Sequence, residues 1–179
     1  MVVTKHFTSF CGTNADVIFI KSVEKLTCPV CGGELICISS CNRKGMRDND
    51  QINVYRLRKL RCKQCQKIHL ELPYFLIPRK RYEADIYQLI LEGKDDGISC
   101  DDYTKRDTRK WAIIYLTKFL SLHGLSVPVD VCSINYLKDL INETKLILPE
   151  ENWLAKVCYE LYVHTRKLFM EQNYLVILK

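Results

Sequence analysis

Cys28-Pro29-Val30-Cys31-Gly32-Gly33 and Cys62-Lys63-Gln64-Cys65 frame the segment on which the reading of this chain turns. Each Cys-x-x-Cys offers two soft donors from one tight turn, and a tetrahedral Zn²⁺ takes four. Cys28, Cys31, Cys62 and Cys65 are therefore expected to hold one structural Zn²⁺. Gly32 and Gly33 suit a turn that folds its amides toward sulfur, because glycine accepts positive φ. Thirty residues separate Cys31 from Cys62, where the usual ribbon signature has about 15–20. Doubling a loop costs only about 0.6 kcal/mol, whereas structural zinc supplies roughly 10–16 kcal/mol in finger peptides. The long spacer is tolerated, then, and can hold a hairpin. Redox chemistry at either pair would want a helix N-terminus in a βαβ setting, which neither pair has.

At 179 residues the chain can bury a real core as one domain or two small ones. Of its ten cysteines, four are assigned to the metal, and Cys100, Cys132 and Cys158 sit singly among apolar or helical residues. That usage suggests buried free thiols in a reducing cytoplasm. The N-terminus lacks the apolar run of a signal peptide, and no stretch approaches a membrane span. A soluble, cytoplasmic protein is expected. The net charge of +6 is unevenly spread: residues 1–80 carry 14 Lys+Arg against 6 Asp+Glu, and the rest is near balance. A local positive field of this kind attracts polyanions, and its bland alternative is a solvated lysine-rich face.

Along the chain, Val17-Ile18-Phe19-Ile20 reads as a short buried strand in an N-terminal extension. Glu34–Ser39 and Ile52–Arg61 read as the two strands of the ribbon, with a polar tip at 42–50. Cys37 lies in that first strand, Cys41 just beyond it, and His69 four residues beyond Cys65; each stays an alternative ligand. Ile68–Pro73 is a third strand, ended by proline. Alternation places Arg56 and Arg58 on one face of the returning strand and Lys59 and Arg61 on the other, as phosphate contacts from a two-sided ribbon. Arg79 and Lys80 extend the basic surface into a linker stiffened by Pro73 and Pro78.

From Tyr82 the apolar period becomes helical. A first helix ends at Gly93, a short one spans Cys100-Asp101-Asp102, and a longer one, capped by Thr104 or Asp107, runs to about Leu122. This pattern predicts a helix-turn-helix whose last helix presents Arg106, Arg109 and Lys110 to base edges, with Lys105 and Thr108 nearer the backbone. A plain three-helix unit is the alternative. Two further helices come next, at about Ser133–Asn142 and from Pro149 onward, with Trp153, Leu154, Val157, Cys158, Leu161 and Leu168 on one apolar stripe. The apolar tail Tyr174–Leu178 closes the chain. The expected architecture is α+β: a small antiparallel zinc ribbon with its extension over 1–78, a helix-turn-helix over 79–125, and a helical region over 126–179.

The residues carry a resemblance. Cys28–Leu35, Tyr55–Cys65, His69–Pro73 and Pro78–Tyr82 resemble a bacterial family of uncharacterised zinc-ribbon proteins, similar in turn to the N-terminal zinc-ribbon and helix-turn-helix part of insertion-sequence transposases. Thr108-Arg109-Lys110-Trp111 is similar to the start of that family's recognition helix, and Trp153–Val157 to a motif near its C-terminus. The resemblance implies zinc at the four cysteines, double-stranded DNA as partner through Arg109 and Lys110, and a place beside mobile elements. It does not extend to residues 1–26.

Three function classes are compatible with these features: a non-catalytic DNA-binding regulator or accessory factor of a mobile element, a zinc-scaffolded module for an acidic protein partner, and a nuclease. The last needs carboxylates gathered around two Mg²⁺ ions on a separate core, and too little chain remains for one. No enzymatic activity is expected.

Overall fold

The computed structural model describes residues 1–11, 17–48, 51–126 and 134–165. Six strands form one curled, mixed sheet: β1 (Val2–Thr4), β2 (Phe7–Cys11), β3 (Val17–Ser22), β4 (Leu35–Met46), β5 (Ile52–Cys62) and β6 (Ile68–Pro73). Four helices succeed them: α1 (Ala84–Glu92), α2 (Asp102–Leu122), α3 (Ile134–Ile147) and α4 (Trp153–Thr165). The expected small antiparallel ribbon is thus only part of a half-barrel. Residues 1–26, expected to form an extension, supply three of its strands.

β5 is the spine. β4 pairs antiparallel with it over its whole length, from Leu35 opposite Cys62 to Met46 opposite Ile52. Along its other edge, β3 runs parallel beside Val54–Arg56 and β6 antiparallel beside Lys59–Arg61. β2 extends the sheet from β3, and β1 lies parallel to β6. Two strands converging head-on along one edge leave a fork opposite Leu57 and Arg58, and a fork leaves backbone groups without ladder partners. Glu71, only 1% exposed, fills it. Its carboxylate accepts the Ser22 N–H at 2.6 Å and is gripped by Arg58 through Nε and, at 2.8 Å, Nη2.

Side chains alternate along β5. Tyr55 and Leu57 point into a core shared with Ile20, Leu72 and Leu76. Burying each such aliphatic side chain contributes about 1.5–3 kcal/mol. Val54, Arg56, Arg58, Leu60 and Cys62 belong to the opposite face. Polar contacts tie the sheet to the segment that leads into α1. Arg43 donates to the carbonyls of Ile77 and Lys80, and Glu83 accepts from Tyr55 Oη at 2.7 Å and Asn53 Nδ2 at 3.0 Å. Gly45 suits this crowded spot, since a Cβ would press on Glu83 and Tyr55 at 3.0 Å.

The helices enclose Trp111, Leu116, Phe119, Leu140, Trp153, Leu154 and Leu161. Glu92 on α1 joins three of them: it accepts from Trp153 Nε1 at 2.9 Å and pairs with Lys145 at 2.8 Å. Burial opposes ionisation of Glu92, but Lys145, Lys94 and the indole N–H outweigh it and hold its carboxyl near about 2.

The helix-turn-helix is absent. Between Gly93 and Asp101 the chain forms no helix, and Gly93 and Gly97 turn it through positive φ. The cause is a cap: Asp101 accepts the Thr104 N–H at 2.7 Å, so α2 begins at Asp102 as one helix of 21 residues. Caps at Thr104 or Asp107 would have needed a break that Asp101 removes. α4 starts at Trp153 rather than at Pro149, and α3 extends to Ile147 rather than Asn142. Leu168, Cys132, Ser133 and the tail Tyr174–Leu178 lie outside the described residues.

Replacing Glu71 by alanine strands a half-buried guanidinium and the Ser22 N–H, and should lower unfolding stability by about 3 kcal/mol. Urea unfolding of Glu71→Ala checks this. A midpoint equal to wild type would mean that the fork does not need its carboxylate.

Candidate metal centre

The β4–β5 register sets Leu35 opposite Cys62, so the turn before β4 meets the turn after β5. There Cys28, Cys31, Cys62 and Cys65 bring their sulfur atoms within 4.8 Å of one another. Cys31 and Cys62 Sγ are 3.4 Å apart, Cys28 and Cys65 Sγ 3.6 Å. Four thiols in this arrangement can hold a metal ion, as the spacing of the two pairs predicts.

The two turns are near copies. In the first, Gly32 N–H donates to Cys28 O at 2.8 Å and Cys28 N–H to Gly33 O at 2.9 Å. In the second, Gln66 N–H donates to Cys62 O at 3.1 Å and Cys62 N–H to Lys67 O at 3.0 Å. Each needs a left-handed residue just after its second cysteine. Gly32 takes φ 74° and Gln66 takes φ 57°, and the latter is a strained choice for a residue with a Cβ. Gly33 serves differently from the sequence expectation. Its φ is not positive, but a Cβ there would sit 2.9 Å from Cys62 Sγ and from Gln64.

Electrostatics divide the thiols. The Cys65 N–H, 3.5 Å from Cys62 Sγ, lowers the Cys62 thiol to about 7. At Cys65 the Lys67 N–H pulls down, yet burial and the neighbouring thiols of Cys31, Cys28 and Cys62 lift it to about 11. Sulfur atoms this close share protons unequally, and a bound cation takes the place of those protons. His69, buried at 5% exposure, sets Nε2 3.3 Å from Cys28 Sγ. It is a fifth polar group packed against the cluster. Cys37 is exposed on β4 and bonds Ser39 O, and it and Cys41 stand outside the four-sulfur group. Cys158 is buried, its thiol pushed up to about 12 by desolvation, and Cys100 is half-buried.

The basic residues singled out from sequence do not gather in one place. Arg56 and Arg58 share one face of β5, while Arg61 is exposed on the other. Lys80 pairs with Asp107 at 2.8 Å and lies over the Trp111 ring. Lys105 pairs with Asp95 at 2.6 Å. Arg106 lies 5.8 Å from the Tyr103 ring centroid, and Arg109 lines a cleft with Leu137 and Ile141. Lys110 and Arg79 are exposed. Thr108, expected near phosphate, is fully buried and donates to Thr104 O.

Sequence reasoning misses a different set. On the Arg56 side of the sheet, pairing lines up Phe10, Phe19, Arg56 and Asn42 across four strands. Beside that row stand Lys44 opposite Val54, Ser40 opposite Arg58, and Lys21 opposite Thr8. Cys62, Leu60 and His69 continue this face, so the metal centre covers one end of it and leaves the other open.

Residues 28–111 match a family described as a domain of unknown function (DUF6431). The matched segment, just under half of the chain, takes in both cysteine turns and ends at Trp111. No curated protein and no solved structure matches the chain. The resemblance read from sequence therefore stands at the level of this family match and the four-cysteine cluster; the family's description ties the segment to neither transposases nor a helix-turn-helix. No described helix is long and apolar enough to cross a membrane.

Gly33→Ala should push Cys62 Sγ off its position and weaken metal binding by about 10–100-fold, the usual effect of disturbing what supports a ligand. Competition with a chromophoric chelator measures it. Affinity equal to wild type would show that the close approach at Gly33 is immaterial.

Proposed function

We propose that this chain is a non-catalytic, zinc-stapled nucleic-acid-binding protein. Zinc is the ion the donor set favours: four cysteine sulfurs, closed around one point, match its tetrahedral thiolate sites. At Zn–S bonds of about 2.3 Å, a tetrahedron has sulfur–sulfur edges of roughly 3.8 Å. The Cys31–Cys62 and Cys28–Cys65 edges of 3.4 and 3.6 Å need only slight expansion to reach it. Bound there, Zn²⁺ supplies structural cohesion and leaves no open coordination position for chemistry. Three of the carboxylates have structural roles: Glu71 bridges the fork, Glu83 holds Tyr55 and Asn53, and Asp101 caps α2.

The observation that carries the nucleic-acid reading is the open face of the sheet. Lys21, Lys44, Arg56 and Arg58 stand on it with Phe10 and Phe19 between or beside them, and its described acidic residue, Glu71, is buried and already paired with Arg58. Phosphates are met by such cations wherever a nucleic acid lies across a surface. Arg61, Lys63 and Lys67, near the metal turns, add positive field beyond it. The helix-borne cations Arg106, Arg109 and Lys110 fit a supporting role, since no recognition helix projects them. A place beside a mobile element rests on the sequence resemblance alone.

Neutralising about three phosphates, through Lys21, Lys44 and Arg56, should cost roughly 20-fold in affinity on a single strand and roughly 40-fold on a duplex between 50 and 200 mM salt. Titrating fluorescent oligonucleotides with the zinc-loaded protein over that range tests the proposal. Absence of binding at low salt, or an affinity indifferent to salt, would overturn it in favour of a protein partner.

A further inference from the structure

We infer that the open sheet face binds a single-stranded nucleic acid by stacking an unpaired base on the Phe10–Phe19 pair. This deepens, and rests on, the nucleic-acid reading of the same face. The two rings are parallel within 4°, with centroids 5.0 Å apart. Phe10 is 55% exposed, because the pleat that sends Phe7 and Ile20 to the core turns Phe10 and Phe19 to the other face. A pair of stacked rings ending at solvent can be extended by another flat ring, and nucleobases are the flat rings that arrive joined to anions.

The surroundings match that ligand. Phe19 lies opposite Arg56 in the β3–β5 ladder, and Arg56 is held in place by Ser40 Oγ at 2.7 Å and Asn42 Oδ1 at 2.9 Å. Those two bonds use two of the five guanidinium N–H donors, so Arg56 keeps donors for a ligand while its side chain is fixed. Lys21 and Lys44 are exposed on either side of the aromatic row, as contacts for successive phosphates. A shallow cavity of about 420 Å³ joins Phe10, Phe19, Lys21, Ser40, Arg56 and Arg58. Duplex DNA keeps its base faces covered by neighbouring pairs and offers the phenylalanines nothing to stack on. A single strand splays bases out, and a sheet carrying aromatics among cations can take them up one at a time. The metal centre bounds this surface at the Cys62 end, so the strand lies over β2, β3, β5 and the middle of β4.

The test compares ten-nucleotide oligothymidine, oligouridine and a duplex of equal length, each titrated by anisotropy against the zinc-loaded full chain. Either single strand should bind at least tenfold more tightly than the duplex, and a preference between thymidine and uridine tells DNA from RNA. Phe10→Ala should lose about 5–100-fold on the single strand, with little change on the duplex. Phe10→Trp should retain binding, and its fluorescence should fall as a base stacks on the indole. If single strand and duplex bind alike and Phe10→Ala changes neither, stacking is refuted while nucleic-acid binding survives. If nothing binds, both readings fall.

Discussion

Leu35 lies opposite Cys62 in the long β4–β5 ladder, and this register decides where four sulfur atoms fall. Because side chains alternate, a slip by one residue would send Cys62 to the other face and scatter the donors. The same register puts Asn42 beside Arg56 and Ser40 beside Arg58. Metal centre and open face are thus two ends of one surface, laid out by one strand pair. A metal ion holding both turns would in return lock that register, because neither turn can slide without breaking a metal–sulfur bond.

A second constraint works at the fork where β3 and β6 meet the same edge of β5. Two strands approaching head-on cannot both continue the ladder, and the unpaired backbone between them requires an acceptor. Glu71 is that acceptor, and its charge in turn requires Arg58. This exchange places β3, and with it Phe19 and β2, alongside the spine. A buried ion pair is a weak source of net stability, but losing one member is costly. It therefore acts as a specificity device, admitting one arrangement of strands.

The four-cysteine cluster is legible in the sequence because a Cys-x-x-Cys turn is a local feature whose chemistry travels with its spacing. Strand β5 is legible from alternation and β6 from Pro73, but β4 only in its first half, since Asn42–Met46, read as part of a polar tip, continue the strand. The half-barrel is not. Val2–Thr4 is a three-residue strand parallel to β6, and no local pattern announces a parallel partner dozens of residues away; Phe7–Cys11 pairs antiparallel with its sequence neighbour β3 but is too short and polar to read as a strand by itself. The helix-turn-helix expectation fails because Cys100-Asp101-Asp102 looks like a short helix when Asp101 is in fact the cap of a long one. The polar sheet face escapes for a related reason: Arg56 and Arg58 are visible, yet Phe19 passes as core within Val17–Ile20 and Phe10 draws no reading, because exposure depends on the sheet being built. Gln66, taking the left-handed turn that Gly32 takes in the first knuckle, gives no signal, since glutamine rarely adopts it.

In the proposed centre four thiolates, and no other donors, enclose one zinc ion. X-ray absorption at the zinc edge reads this directly. The account expects one equivalent of zinc surrounded by four sulfur atoms at about 2.3 Å. A shell of three sulfurs and one nitrogen would put His69 in place of a cysteine, and protein purified without stoichiometric zinc would contradict the account outright.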